Sequence, residues 1–330
     1  MSTDGGTEDP TTLSPDEAFG VLGNETRMAI LRSLGRTDGS LSFSDLYDRI
    51  DYDTPSNFSY HLDQLEGHFV TKSDDGYELS PRGSQVYQAV LSGALTESPT
   101  VEPTELEENC YHCGTPIWTD YRNQRGFIYC PGCSGNHDIS ENVLVDRLGS
   151  KERAAEFAVK SSHPFPPALV RGRSASEMRR AGAAWFNLDM FALGIDLCPR
   201  CSAPLDPSVA VCESHNDAEE LCEACGNLQA VMLVTTCTNC NYSKDGLFSF
   251  RLFAHTAMLD FITDHGLNPI APEFPEQFWG YFTPYDEEIL SINPFTAEFT
   301  FTIDNEALTL TVDNDLNVVG TLRHTVSELD

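Results

Sequence analysis

The chain has 330 residues, 40% hydrophobic and 10% aromatic, too rich in apolar groups for a wholly disordered protein and long enough for two or three domains. Its 51 acids face 20 bases, a formal charge of −31, and the bases are four Lys (72, 151, 160, 244) against sixteen Arg. The acids run along the whole chain, which excludes a generic basic patch for gripping nucleic acid or membrane.

Such a surface suits a protein that holds water and cations in concentrated salt; an acidic protein of ordinary salt is the alternative. No stretch approaches the ~18–20 uninterrupted apolar residues of a membrane helix. Residues 1–12 are polar and acidic, unlike a signal peptide, and are expected to be a disordered tail in a cytoplasmic protein. Eleven cysteines in a reducing compartment are expected to be metal ligands rather than disulfides.

Residues 13–96 read as a compact helical domain. Ser14-Pro-Asp-Glu starts a first helix, with Ser14 as N-cap and Glu17 placed to close a capping box. A second helix covers Glu25 to Leu34, and a third, capped by Ser42 or Ser44, carries Leu46, Tyr47 and Ile50. A fourth covers Ser56 to about Gly67, where Phe58, Leu62 and Leu65 fall on one stripe. Phe69–Ser73 and Tyr77–Leu79 form two short strands around Asp74-Asp-Gly, and Ser80-Pro-Arg opens a fifth helix. This order predicts a winged helix-turn-helix, mostly α with a two-stranded wing.

Residues 19–34 (Phe-Gly-Val-Leu-Gly-Asn-Glu-Thr-Arg-Met-Ala-Ile-Leu-Arg-Ser-Leu) resemble the opening of ArsR-type repressors and their archaeal winged-helix relatives. Phe58-Ser-Tyr-His-Leu-Asp-Gln-Leu-Glu resembles the recognition helix of that family, and Tyr77-Glu-Leu-Ser-Pro-Arg-Gly its strand-to-helix exit. Together with the surface charge, the likeness is to a haloarchaeal-type member. It spans roughly residues 14–95 and implies a transcriptional regulator that binds double-stranded DNA. It further implies a homodimer joined along the fifth helix, each recognition helix in a major groove. The third helix has no cysteine, so the family's thiolate sensing site there is not implied.

The face opposite Phe58, Leu62 and Leu65 offers Ser56, Asn57, Tyr60 and Gln64, with Ser59 and His61 on its flanks. These neutral groups suit base edges and phosphates, and the resemblance makes Ser59 and Tyr60 the base-facing pair. Arg32, Arg49, Lys72 and Arg82 are candidate phosphate contacts. Residues 1–96 hold sixteen acids and six bases. In molar salt, with a Debye length of ~3 Å, that charge no longer repels a duplex at long range, and binding must rest on short-range hydrogen bonds and shape.

Residues 97–109 are acidic and punctuated by proline, which predicts a semi-stiff linker. Cys110-x-x-Cys113 and Cys130-x-x-Cys133 flank a predicted hairpin turning at Asn123-Gln-Arg-Gly, the pattern of a zinc ribbon over 110–137. His112 and His137 lie close by, but four thiolates complete a tetrahedral sphere. Residues 138–197 are read as a helical segment, with helices at Ser140–Val159 and Ser174–Phe191.

Residues 198–245 contain Cys198-x-x-Cys201, Cys212-x-x-His215, Cys222-x-x-Cys225 and Cys237-x-x-Cys240, enough for two more sites. Eleven Cys and His215 make three tetrahedral sets, hence three structural zinc ions. Pairing in chain order would join 198, 201, 212 and 215 in one site and 222, 225, 237 and 240 in the other; an interleaved pairing is the alternative. Residues 246–330 are expected to be an α+β domain: a helix Phe250–His265, then strands Glu288–Ile292, Ala297–Ile303, Leu308–Val312 and Val318–Leu322 in a small antiparallel sheet.

No phosphate loop, H-E-x-x-H or nucleophile elbow occurs, so no enzyme activity is expected. The zinc segments or the C-terminal domain offer a place for a protein partner, and a zinc-stabilised interaction adaptor that binds no DNA is the competing reading. A halophilic surface makes one direct prediction. Dialysis from molar potassium chloride to ~0.1 M, where the Debye length is ~10 Å, should lower the helical circular dichroism while zinc stays bound. Unchanged folding in dilute buffer would refute it.

Overall fold

A computed structural model of the protein describes residues 12–50, 52, 54–133, 135, 158–215 and 221–326. The chain divides into two compact units, Met1–Glu97 and Ser98–Asp330.

The first unit is α-rich with a short β-hairpin. Helix α1 (Pro15–Leu22) begins at Ser14, whose hydroxyl accepts the Glu17 N–H while the Glu17 carboxylate accepts the Ser14 N–H. Asn24 caps α2 (Glu25–Gly35), and the Ser42 hydroxyl accepts the Asp45 N–H at the start of α3 (Phe43–Ile50). Helix α4 (Pro55–Leu65) is followed by an antiparallel pair, β1 (Val70–Ser73) and β2 (Gly76–Leu79), and by α5 (Pro81–Leu91). Phe58, Leu62 and Leu65 of α4 pack on Ile30, Leu31 and Leu34 of α2, with Leu46, Val70 and Tyr77 completing the core. Each side chain so buried contributes about 1.5–3 kcal/mol against the entropy of ordering the chain.

The second unit is α+β. Its first sheet is antiparallel in the order β3 (Val101–Asn109), β4 (Pro116–Arg122), β5 (Arg125–Cys130), β6 (Ala158–Pro164). Asn123 and Gln124 make the β4–β5 turn, both with positive φ, as a two-residue hairpin of this hand requires. Residues 101–109 are therefore a strand and not the predicted linker. Pro103 and the carboxylates sit on the sheet's outer edge, where a missing N–H costs no ladder bond and charge blocks further pairing, while Leu106 is buried. Of the expected helix 140–159, residues 140–157 lie outside the described residues, and Ala158 and Val159 belong to β6.

Helix α6 (Ala175–Gly194) starts at the expected Ser174 with a second capping box to Glu177. A three-stranded sheet follows, order β7 (Leu205–Val211), β8 (Val231–Cys237), β9 (Ser243–Leu247), all antiparallel. Next come α7 (Ser249–Leu252), α8 (Thr256–Asp264) and α9 (Pro275–Gly280). The single helix expected over 250–265 is broken at His255, whose extended backbone and Nδ1 cap α8 afresh by accepting the Ala257 N–H.

The chain ends in a meander of β10 (Asp286–Ile292), β11 (Phe295–Ile303), β12 (Glu306–Val312) and β13 (Val318–Thr325). Phe295, Ala297, Phe299, Phe301 and Ile303 alternate into its covered face. Their core is continuous with Phe248, Phe253, Phe278 and Phe282, and also with Val231, Leu233 and Cys198. The expected boundary at 245/246 thus falls inside one core. Among the described residues no helix is long and apolar enough to cross a membrane.

Gly83 shows how closely the first unit is packed. A Cβ there would lie 2.0 Å from the Phe69 carbonyl oxygen, the same oxygen that accepts the Ser80 N–H. Backbone cannot yield as a flexible side chain can, so Gly83→Ala should destabilise this unit by about 1–3 kcal/mol, with a lowered denaturation midpoint. A midpoint equal to wild type would contradict this packing.

Candidate functional site

Three groups of four side chains bring their ligand atoms within 4.8 Å of one another: Cys110, Cys113, Cys130, Cys133; Cys198, Cys201, Cys237, Cys240; and Cys212, His215, Cys222, Cys225. In the first, Sγ atoms stand 3.6 Å (Cys110–Cys133) and 3.4 Å (Cys113–Cys130) apart; in the second, 3.7 Å (Cys198–Cys240) and 3.5 Å (Cys201–Cys237). A disulfide would need ~2.05 Å. Four sulfurs at ~2.3 Å from a tetrahedral zinc stand roughly 3.8 Å apart, which matches. The geometry is that of three structural zinc sites.

The knuckles share one backbone device. Cys110, Cys198 and Cys222 each donate their N–H to the carbonyl five residues on (Thr115, Ala203, Asn227) and accept from the N–H four residues on (Gly114, Ser202, Gly226). Those three acceptor-side residues all have positive φ, which folds the loop tightly enough to aim both C-x-x-C thiols at one point. Backbone N–H groups also reach the sulfurs, from Gly132 to Cys130, Arg200 to Cys198 and Asn239 to Cys237.

Thiols so close together compete for charge. Burial raises the Cys113 thiol, but hydrogen bonding by Thr115 and the neighbouring thiols outweighs it and holds it at about 6. Cys133 is pushed up by burial and by the neighbouring thiols. In the second cluster the Ala203 N–H helps hold Cys201 at about 6; for Cys240 the Tyr242 N–H is overcome by burial and its three partners, leaving it at about 12. A dication removes the conflict by stabilising every thiolate at once.

The pairing of the last two sites differs from chain order. Cys198/Cys201 precede β7 and Cys237/Cys240 follow the main run of β8, and because β7 and β8 are antiparallel with Leu205 opposite Cys237, these two pairs meet at one end of the sheet. Cys212/His215 and Cys222/Cys225 meet at the other end, where Val211 faces Val231. Seven residues of strand, roughly 20 Å at ~3.3 Å each, separate the two ends, so chain-order pairing is sterically excluded. The sites are nested, a Cys₃His set inside a Cys₄ set. His215 turns Nδ1 to within 3.6 Å of Cys225 Sγ, while Nε2 lies 3.1 Å from the Leu228 carbonyl oxygen. A carbonyl only accepts, so Nε2 carries the proton and Nδ1 presents its lone pair to the metal.

Sequence reasoning missed Lys160. Its ammonium donates to Cys110 Sγ at 3.1 Å, lies 3.7 Å from the Tyr111 ring centroid and pairs with Glu276, whose other oxygen faces Arg179. Burial works against its charge, but Tyr111, Glu276 and Cys110 raise its pKa above the ordinary lysine value. A Cys₄ zinc site carries two net negative charges, and this buried cation offsets part of them.

On the first unit, Ser56, Asn57, Tyr60 and Gln64 are exposed on α4, Ser59 is half-buried, and Lys72 and Arg82 are exposed on β1 and α5. His61 is half-buried, its ring edge-on to Tyr52, and burial lowers its pKa. Lys72 lies over the Tyr77 ring, Arg49 bonds the Thr37 hydroxyl, and Arg32 reaches the Met28 carbonyl.

Taken together these are an α-rich unit with a β-hairpin and an α+β unit organised around metal clusters, an arrangement consistent with a structural or regulatory role. The chain belongs to the family described as Domain of unknown function (DUF7351), which matches residues 107–318, more than half of its length. Residues 15–90 match Domain of unknown function (DUF7347). No curated protein and no solved structure matches.

Nested pairing has a clear chemical signature. Protein purified without chelator should hold three zincs, and Cys237→Ser should hold two, with Cys198 and Cys201 open to alkylation and Cys222 and Cys225 protected. Alkylation of Cys222 and Cys225 instead would restore pairing in chain order.

Proposed function

We propose that the protein is a sequence-specific DNA-binding transcriptional regulator whose first unit is a winged helix-turn-helix of ArsR-like type. The observation that carries this reading is the split personality of α4. Phe58, Leu62 and Leu65 are at most 1% exposed, whereas Tyr60 is 56% exposed and shares the outer face with Ser56, Asn57 and Gln64. A rigidly anchored helix that presents neutral hydrogen-bonding side chains is suited to a major groove. Phe19 at 73%, Leu91 at 42% and Leu95 at 73% exposed, on α1 and at the end of α5, would supply the seam of a homodimer. The zinc clusters hold the second unit's loops in place, and the acidic surface fits a haloarchaeal-type cytoplasm.

Tyr60→Ala or Gln64→Ala should cost about 1–3 kcal/mol of operator affinity and relax sequence preference, while Arg82→Ala should weaken binding evenly across sequences. The assay is selection of a binding site from genomic DNA in molar salt, followed by titration of each variant. Absence of any enriched site would favour the zinc-stabilised adaptor.

A further inference from the structure

Strand β10 pairs with β11 along one edge, and among the described residues no strand pairs with the other. β7 is likewise the edge of its own sheet. Between β10 and the end of β7 lies a cavity of about 540 Å³, walled by Glu287–Ile292 on one side and by Val211, Cys212, Glu213 and His215 on the other. Its volume falls within the roughly 300–1,000 Å³ of ligand clefts. Two devices fix its walls. The Glu287 carboxylate accepts the backbone N–H groups of Ala230 and Val231, tying β10 to the start of β8. The opposite wall is the Cys212–His215 turn of the Cys₃His cluster.

A strand edge presents N–H and C=O groups in alternation, and the partner that satisfies them is another extended chain. The outward side chains of β10 divide into halves: Asp286 and Glu288 are acidic, whereas Leu290 and Ile292 are about half exposed and aliphatic. That division argues against a second copy of β10. Antiparallel pairing centred on Ile289 would set Asp286 against Ile292 and Glu288 against Leu290, burying carboxylates on hydrocarbon. Parallel pairing in register would set each carboxylate against its own copy.

We propose that this groove takes up an extended segment of a different polypeptide as an added strand on β10. Basic residues of that segment lie over Asp286 and Glu288, and aliphatic residues over Leu290 and Ile292. Glu213, across the groove, adds to the preference for a basic partner. Such a partner is independent of whether α4 reads DNA.

The test uses the full zinc-loaded chain at a salt concentration where its circular dichroism is native. The labelled probes are Arg-Thr-Arg-Thr-Val-Thr-Val-Thr and the same residues in reverse order, since the strand direction is left to experiment. One of them should bind saturably at about 100 μM or below. Backbone N-methylation of its residues along one edge should weaken binding at least about tenfold, and methylation along the other edge should not. Leu290→Asp should weaken binding by a similar factor, and hydrogen exchange of β10 amides should slow on binding. No saturable binding by either probe overturns the proposal, as does equal loss from both methylation patterns, which would mean adsorption by charge. A free chain that is a dimer and becomes a monomer on Leu290→Asp would assign the edge to a second copy and overturn it as well.

Discussion

Thiolates within 4.8 Å of one another repel, and only a cation lets four of them ionise together. That constraint governs the architecture of the second unit. The first cluster ties the β3–β4 knuckle to the end of β5, beside a core of little more than Leu106, Ile117 and Ile128 with the sulfurs of Cys110 and Cys130. Such a core could not hold a sheet by burial alone, and ~10–16 kcal/mol of apparent binding per structural zinc is ample to replace it. The second cluster is joined to a far larger core through Cys198, so there metal and hydrocarbon act together. Lys160 and Glu276 extend the first cluster's influence to α9, which connects its electrostatics with the packing of the C-terminal helices.

The two units solve the problem of a heavy negative charge differently. The first has no cysteine among residues 1–97 and relies on its caps and on one apolar cluster. Its helix starts are placed so that carboxylates work for the fold: Glu17 closes a box on Ser14, and Asp16 also lies in the first turn, near the positive end of the helix dipole. In the second unit the carboxylates of β3 are gathered along an outer edge, where repulsion has a use.

Legibility from sequence followed the range of the interactions. The helices of the first unit were readable because Ser14, Asn24 and Ser80 cap locally and because Phe58, Leu62 and Leu65 repeat at helical spacing. All twelve ligands were readable because each pair lies within four residues. Their grouping was not, since it depends on β7 lying antiparallel to β8, and the strand-forming run Val231-Met-Leu-Val-Thr-Thr passed without notice between two cysteine pairs. The strand at 101–109 has a linker's composition because an edge strand tolerates Pro103 and many acids. Apolar periodicity ran unbroken from Phe250 to His265, and only the backbone of His255 reveals two helices. Lys160 carried no signal at all, its sulfur partner lying fifty residues away.

The nested arrangement of the last two metal sites also sets an order of assembly. The inner set closes between Cys212 and Cys225, whereas the outer must wait for Cys240 to return to Cys198. Closing the longer loop unaided costs more chain entropy, and the inner metal lowers that cost by drawing the ends of β7 and β8 together. A chain emerging from the ribosome therefore completes its inner coordination sphere first, and that ion acts as a clasp which brings the flanking strands into register before the outer one is loaded.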